Sequence, residues 1–511
     1  MHTFFGSDQA TGRYLTLFYG ITLGLALVLA GFAVYLHGNP TPGAVISSTA
    51  TQAVLSQTAS STLRSTQAES NNTPTSLPDI PSTPNPKTPS PLGVSATALE
   101  GLRVNLWYPW TGASGAALQA ILDEFNRTNQ WEITVQLSAF EDYGRLDEAV
   151  EAALVSGSLP DVLVDYGYQA RHWDSRKVLL DLTPYVNDPV WGLSSDEQAD
   201  FYPAFWAEDL VTDGSPGQTR RLGIPYHRSA YVLFYNQSWA YELGYPNLPA
   251  SVEDFRVRAC AAAQSVSEQG DKSNLGRGGW LITPQPGALV GWIYAFGGGI
   301  TTPELDYQFN TPETLQAFKY LKGLQDSGCA WFDPGVDPQS ELASRHALFV
   351  VGSLYDIPAQ REAFTQAGSG DEWVVIPFPS LHQPVVATYG PSLFIRRSNP
   401  AQQLAAWLVI EWLVYPPNQA EWVTTLKTYP VRMGALGYLS EAASDNPQWV
   451  KALGLLPEAR SEPSHASWSV MRWALQDAMS WLFSQQFGAD QIPSLLEELD
   501  RVAAEVVTQV R

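Results

Sequence analysis

Between Arg13 and Arg64 the chain carries no charged side chain, and residues 15–36 of that stretch are almost wholly apolar. A helix rises about 1.5 Å per residue, so about 20 such residues cross a hydrocarbon core of about 30 Å. The run therefore predicts one membrane span. A secretory signal has a shorter apolar core and an A-x-A cleavage pattern. Here the run is longer and that pattern is poor. Phe32 follows Leu29-Ala30-Gly31, where a lipidated cysteine would stand. The reading is an uncleaved signal anchor. Arg13 before the span puts residues 1–14 inside and everything beyond it outside. The alternative of a buried core helix fails because residues 37–100 offer it nothing to pack against. They are mostly Ser, Thr, Pro, Asn and Ala and cannot bury enough apolar surface to offset their ordering entropy. They read as a disordered stalk that carries a globular body on the outer face of the cell membrane.

A formal charge of −22 excludes a nucleic-acid partner. Two cysteines, Cys260 and Cys329, are too few for a disulfide scaffold and lack metal-ligand spacing, so no metal is expected. Outside a membrane they can pair; two separate buried thiols is the alternative. Eighteen tryptophans exceed what a core of this length needs, and the excess suits a surface that meets sugar rings.

From residue 101 on, strand and helix patterns alternate. Residues 102–107 form an apolar strand, and Leu118, Ile121, Leu122 and Phe125 then recur at helical spacing. Ile133, Val135 and Leu137 alternate as a second strand. Leu146, Ala149, Val150, Ala153 and Leu154 mark a second helix that Gly157 ends, and 161–165 is a third strand. This βαβαβ order implies a mainly parallel sheet with helices on both faces. A second alternating block covers 223–331, with strands at 231–235 and 280–283, a helix at 291–296 and a helix opened by Thr311-Pro312-Glu313. Strands near 347–351, 373–376 and 387–395 and a helical tail follow.

Several motifs recur in the order and spacing of one family. They are Leu106-Trp107 with its loop and helix, Ser156-Gly157-Ser158-Leu159-Pro160-Asp161-Val162, Gly223-Ile224-Pro225 with Leu233-Phe234-Tyr235-Asn236, and Phe309-Asn310-Thr311-Pro312-Glu313. Val351-Gly352-Ser353, Ile376-Pro377 and Tyr429-Pro430-Val431-Arg432 complete them. Together they resemble the maltodextrin-binding type of extracellular solute-binding protein, family 1, the receptors of ABC importers. The resemblance implies an α/β, two-lobed periplasmic-binding-protein fold of class II. One lobe would be about 101–222 plus 336–385, the other about 223–335 plus 386–511. A ligand, carbohydrate above all, would be captured in the cleft and delivered to ABC permease subunits without any cofactor.

Loops at the carboxyl ends of the strands point to Tyr108 and Trp110, to Glu141 and Asp142, to Asp165, Tyr166 and Tyr168, and in the second lobe to Trp280 and Thr283. The resemblance adds Trp292, Ser353, Tyr355, Tyr389, Gly390 and Arg432. Aromatic faces cover the C–H face of a pyranose while carboxylates and amides take its hydroxyls. Two other classes stand beside this one. A tethered sensor would need a signalling partner, because 14 inner residues are too few to signal. A glycoside hydrolase would need paired carboxyls, and Asp123-Glu124 reads as a solvated face. No Gly-x-Ser-x-Gly, phosphate loop or His-Glu-x-x-His occurs, and His172, His227 and His382 read as structural, so no enzyme is expected.

Overall fold

The computed structural model describes residues 90–212, 219–268, 277–302 and 306–510. The predicted span at 15–36 and the linker through residue 89 lie outside the described residues. Among those described, no helix is long and apolar enough to cross a membrane. The end of the predicted linker departs from expectation. Ser90 Oγ donates to Asp188 at 2.6 Å, Ala96–Leu99 forms a 3-10 turn, and Leu99 is fully buried. Leu92, Val94 and Leu99 supply the apolar contact that the Ser/Thr/Pro tract lacks, so residues 90–100 belong to the body.

In chain order the strands are β1 (Arg103–Tyr108), β2 (Thr134–Ala139), β3 (Val162–Tyr166), β4 (Leu210–Thr212), β5 (Thr219–Arg221), β6 (Gly223–Pro225) and β7 (Ser229–Asn236). They continue with β8 (Gly278–Ile282), β9 (Ala330–Phe332), β10 (Ala347–Ser353), β11 (Trp373–Ile376), β12 (Val386–Tyr389), β13 (Pro391–Ile395) and β14 (Ala459–Ser461). The first lobe's sheet has the order β2-β1-β3-β13-β6, and the second lobe's has the order β14-β12-β7-β10-β8-β9 with β11 on β7. In the first sheet β1 is parallel to β2 and β3, while β13 runs antiparallel to both β3 and β6. Four of its five strands therefore run the same way, as expected, and β13 runs against them.

Local sequence accounts for the elements. In the helix Gly112–Thr128 the buried side chains are Leu118, Ile121, Leu122 and Phe125, the apolar stripe of an amphipathic helix. Asp142 caps the helix Tyr143–Ser156 by accepting from the Arg145 N–H at 2.8 Å, and Gly157 ends it at a φ of 73°. Every residue of β7 is buried, because helices cover both of its faces. Ala230, Val232 and Phe234 join one core, and Tyr231, Leu233 and Tyr235 the other.

The lobe boundaries expected from the resemblance need correction. Strands β10 and β11, within 336–385, pair with β7 in the second sheet, whereas β6 and β13 sit in the first. The helices Pro400–Leu413 and Pro416–Leu426 pack on the helix Gly112–Thr128 and so belong to the first lobe. The predicted strand at 387–395 is two strands in two sheets, broken at Gly390. A Cβ on Gly390 would lie 2.3 Å from the His227 carbonyl oxygen. Glycine is what allows the chain segment between β12 and β13 to pass the segment between β6 and β7 at that distance. The two segments form the hinge.

Cys260, on the helix Val252–Glu268, and Cys329, just before β9, form a disulfide across 69 residues within the second lobe.

Candidate functional site

Both sheets end at the hinge. Tyr166 closes β3 opposite Pro391, and Tyr389 closes β12 opposite Ser229. The register thus sets the carboxyl ends of strands from both lobes within two residues of Gly390. A recess of about 340 Å³, counted to its open mouth, lies there. Tyr166, Tyr168 and Glu208 line it from the first lobe, and Tyr389, Glu462 and Trp468 from the second.

Tyr166, Tyr168 and Tyr389 line it, and further tyrosine rings pack behind them. In the first lobe Tyr166 stacks on Tyr168 with centroids 5.2 Å apart and planes 6° apart, and Tyr143 lies 4.5 Å from Tyr166. In the second, Tyr231 stacks on Tyr389 at 4.8 Å, and Tyr355 follows at 6.4 Å. Burial raises the pKa of all six phenols. They therefore stay neutral at physiological pH, each with a proton to give and lone pairs to receive.

Two carboxylates stand among these phenols. Glu462 Oε2 accepts from the Trp468 indole N–H at 2.8 Å and from Arg472, while its Oε1 is buried with no partner among the described residues. Arg472 also donates to the Tyr231 hydroxyl at 3.3 Å. Burial works against the Arg472 charge, but Glu462 and the nearby phenols raise its pKa on balance. Glu208 Oε2 accepts from Arg228 Nε at 3.0 Å and Nη2 at 2.9 Å, and its Oε1 accepts from the Ser461 hydroxyl of the other lobe. Burial pushes the Glu208 carboxyl up and Arg228 pulls it back. Arg228 is itself buried and donates to the carbonyls of His227 at 2.9 Å and Pro391 at 2.7 Å, which ties both hinge segments together. Arg171 adds a bond across the cleft to Ser464 at 3.1 Å.

Beneath the first lobe's tyrosines lies an acid pair. Asp165 Oδ1 accepts from the Tyr166 N–H at 2.6 Å, and its Oδ2 is buried without a partner among the described residues. Burial and then Asp147 push the Asp165 carboxyl well up, while burial pushes Asp147 up to about 6. Such a pair holds a proton that isolated carboxylates would release.

The structure gathers Tyr166, Tyr168, Tyr389 and Gly390 on the recess, with Tyr355 and Ser353 behind Tyr389 and Asp165 behind Tyr166. Trp110 is half-buried one layer back, between Tyr143 at 6.4 Å and Trp422 at 5.0 Å. Other predicted residues are placed elsewhere. Trp280 and Trp292 are fully buried, 5.5 Å apart, in the second lobe's aromatic core with Phe255. Trp280 lies in mid-strand, so its side chain points at a covering helix and not off the strand end. Thr283 is buried outside the recess lining, and Tyr108 is buried in the first lobe's core. Glu141 and Asp142 face solvent, with Asp142 used as the helix cap. Arg432 pairs with Asp200 at 2.7 Å and lies over Phe201, inside the first lobe. The residues the sequence reading missed are Tyr143, Glu208, Tyr231, Glu462, Trp468 and Arg472. Tyr143 directly follows the loop that was singled out. Trp468 and Arg472 ride on a helix, where no strand-end signal marks them.

A two-lobed frame with its recess at the hinge agrees with the comparisons. Residues 120–452 match the family described as bacterial extracellular solute-binding protein. This chain belongs to that family. A binding protein of Brucella abortus (strain 2308) is 22% identical over 308 residues, 58% of this chain and 70% of the relative. Two solved structures share the fold. The cyclic alpha-maltosyl-1,6-maltose binding protein of Arthrobacter globiformis has a TM-score of 0.66 at 17% identity, covering 80% of this chain and 99% of that one. The sugar-binding protein MalE of Xanthomonas citri has a TM-score of 0.67 at 17% identity, covering 80% and 98%. In this solute-binding protein the hinge joins two α/β lobes, and the recess beside it is lined from both.

Proposed function

We propose that this solute-binding protein captures a carbohydrate in the hinge recess and, held to the cell membrane by its N-terminal apolar span, delivers it to the permease of an ABC importer. The observation that carries this reading is the recess lining, Tyr166, Tyr168 and Tyr389 from two lobes with Glu208 and Glu462 among them, backed by the rings of Tyr143, Tyr231 and Tyr355. Ring faces cover apolar C–H surface, while phenols and carboxylates exchange hydrogen bonds with hydroxyl groups. Among the described residues no cluster of His, Cys, Asp and Glu could hold a metal ion, and Arg228 and Arg472 beside the recess are paired with Glu208 and Glu462. The solved relatives whose titles name a maltosyl sugar and a sugar support the same ligand class, as does Trp468 in the recess lining. The linker through residue 89 would let the body reach its permease while tethered, and closing the lobes on ligand would give the permease a distinct surface to recognise.

The test is a thermal-shift screen of the body, Ile80–Arg511, against sugars, sugar phosphates, amino acids, peptides and polyamines. A ligand bound only by the native state raises stability by RT ln(1 + [L]/Kd), about 2.7 kcal/mol at a hundredfold excess over Kd. Stabilisation by one sugar class without turnover is the expected result. Stabilisation by peptides or polyamines alone would discard the sugar, and consumption of the ligand would discard the receptor. Membrane attachment is tested separately by fractionating cells that carry the chain with and without residues 15–36.

A further inference from the structure

His227 lies in the hinge segment between β6 and β7, is fully buried, and has both ring nitrogens bonded. On one side the Trp422 indole N–H donates to His227 Nδ1 at 3.0 Å. An indole nitrogen is a donor only, so Nδ1 must present its lone pair. Burial, and after it the adjacent Arg228 charge, push the imidazole pKa well below its ordinary value, which keeps the ring neutral. A neutral imidazole carries one proton, and here it is left on Nε2. That nitrogen is 2.6 Å from the Tyr355 hydroxyl, so the ring donates and the Tyr355 oxygen accepts. The phenol's own proton must then point away from His227. It meets no acceptor among the described residues, and the Tyr355 ring lies 6.4 Å from that of Tyr389, which lines the recess.

We infer that His227 is a positioning residue which, through Trp422, fixes Tyr355 as a hydrogen-bond donor toward the recess, so that the ligand must present an acceptor oxygen there. An ether or hydroxyl oxygen satisfies the position, and a donor-only ammonium is rejected. The relay also links the lobes, since Trp422 belongs to the first and Tyr355 to the second. The ligand half of this inference rests on the sugar reading above; the ring half does not.

The test uses the full chain labelled with ¹⁵N-histidine, with His227→Gln to assign the signal. The expected spectrum shows a bare Nδ1 and a protonated Nε2 unchanged from about pH 5 to 8, and Trp422→Phe abolishes that fixed pattern. A protonated Nδ1, or a ring that titrates in this range, overturns the inference. Maltotriose then serves as the probe. Tyr355→Phe should weaken its binding about tenfold, the effect of one hydrogen bond lost from a buried site. Equal binding by parent and variant overturns the donor role. Failure of the parent to bind maltotriose would count against the sugar reading, while the spectrum alone decides the ring assignment.

Discussion

Substituting Gly390 by alanine puts the hinge geometry to a quantitative test. The new Cβ would lie 2.3 Å from the His227 carbonyl oxygen, 3.0 Å from Arg228 Cα and 3.1 Å from Arg228 Cδ. Ordinary contact begins near 3.4 Å, so the two segments must part by about 1 Å. Neither can yield easily. The His227 ring is held at 3.0 Å by Trp422 and at 2.6 Å by Tyr355. The Arg228 guanidinium is held by Glu208 and by the carbonyls of His227 and Pro391. Overpacking a site that cannot relax costs about 3 kcal/mol, the upper end of the usual range. Unfolding entropy is about 2.1 cal/mol/K per residue, or roughly 0.9 kcal/mol/K for a body of about 420 residues. The melting temperature should then fall by about 3 °C, and ligand affinity should fall with it. Gly323→Ala is the control of opposite sign. It sits in the helix Pro312–Asp326 with nothing within 4 Å of its added Cβ. Removing a flexible residue from a helix interior should stabilise by about 0.5–1 kcal/mol, or about 1 °C. Both variants are read by scanning calorimetry. A Gly390→Ala protein that melts with the parent and binds ligand equally well would refute the close crossing of the two segments.

Three further perturbations have defined outcomes. Reducing Cys260–Cys329 releases a closed loop with a sequence separation of 69, worth up to about 4 kcal/mol in the chain-entropy model. The melting temperature should drop with dithiothreitol, and an unchanged value with two titratable thiols would contradict the bond. Burial raises the Asp147 carboxyl from its ordinary value of 3.8 to about 6, so its contribution is fully present below about pH 4 and is lost as pH rises through 6. Asp147→Asn should therefore gain about 1–3 kcal/mol on the parent between pH 4 and 8 in urea unfolding, and parallel pH profiles would exclude the acid pair as the cause. Glu462→Gln leaves the Arg472 charge without its carboxylate and should cost about 3–5 kcal/mol, whereas Glu462→Gln with Arg472→Met should recover most of it. A double variant as unstable as the single one would show that the pair does not account for the loss.

Sequence patterns revealed the secondary structure of the body because each signal was local. The stripe from Leu118 to Phe125, the Gly157 stop and the Thr311-Pro312 start each depend on neighbours within a turn or two of helix, and each is where it was expected. The division into lobes was less legible because it depends on pairing between distant segments. β12 and β13 read as one strand, since alternation and β-propensity are alike on both sides of Gly390. Only the approach of His227, 163 positions earlier in the chain, explains why the strand breaks there. The boundaries taken from the resemblance put β10 and β11 in the first lobe and β13 with the two helices after it in the second, the reverse of the pairing.

The site shows the same division between local and distant information. Strand-end reasoning pointed to Tyr166 and Tyr168, and the resemblance to Tyr389, which the structure sets on the recess. Strand ends failed for Trp280 and the resemblance for Trp292, because a tryptophan on a covered strand or helix faces inward whatever its distance from the strand end. Neither could find Glu462 and Arg472, which reach the recess only because β14 pairs with β12 and starts the following helix beside Tyr231 and Tyr389. His227 was read as structural and is indeed buried, but its bonds to Trp422 and Tyr355 give a structural residue a directional effect on the cleft. In a hinge protein these roles coincide. The groups holding the two crossing segments in register are also those that orient the hydroxyls a ligand must meet. Polarity in the recess is therefore set from behind, by residues no ligand touches, and changing them should alter which ligand atoms are accepted before it alters whether the lobes fold.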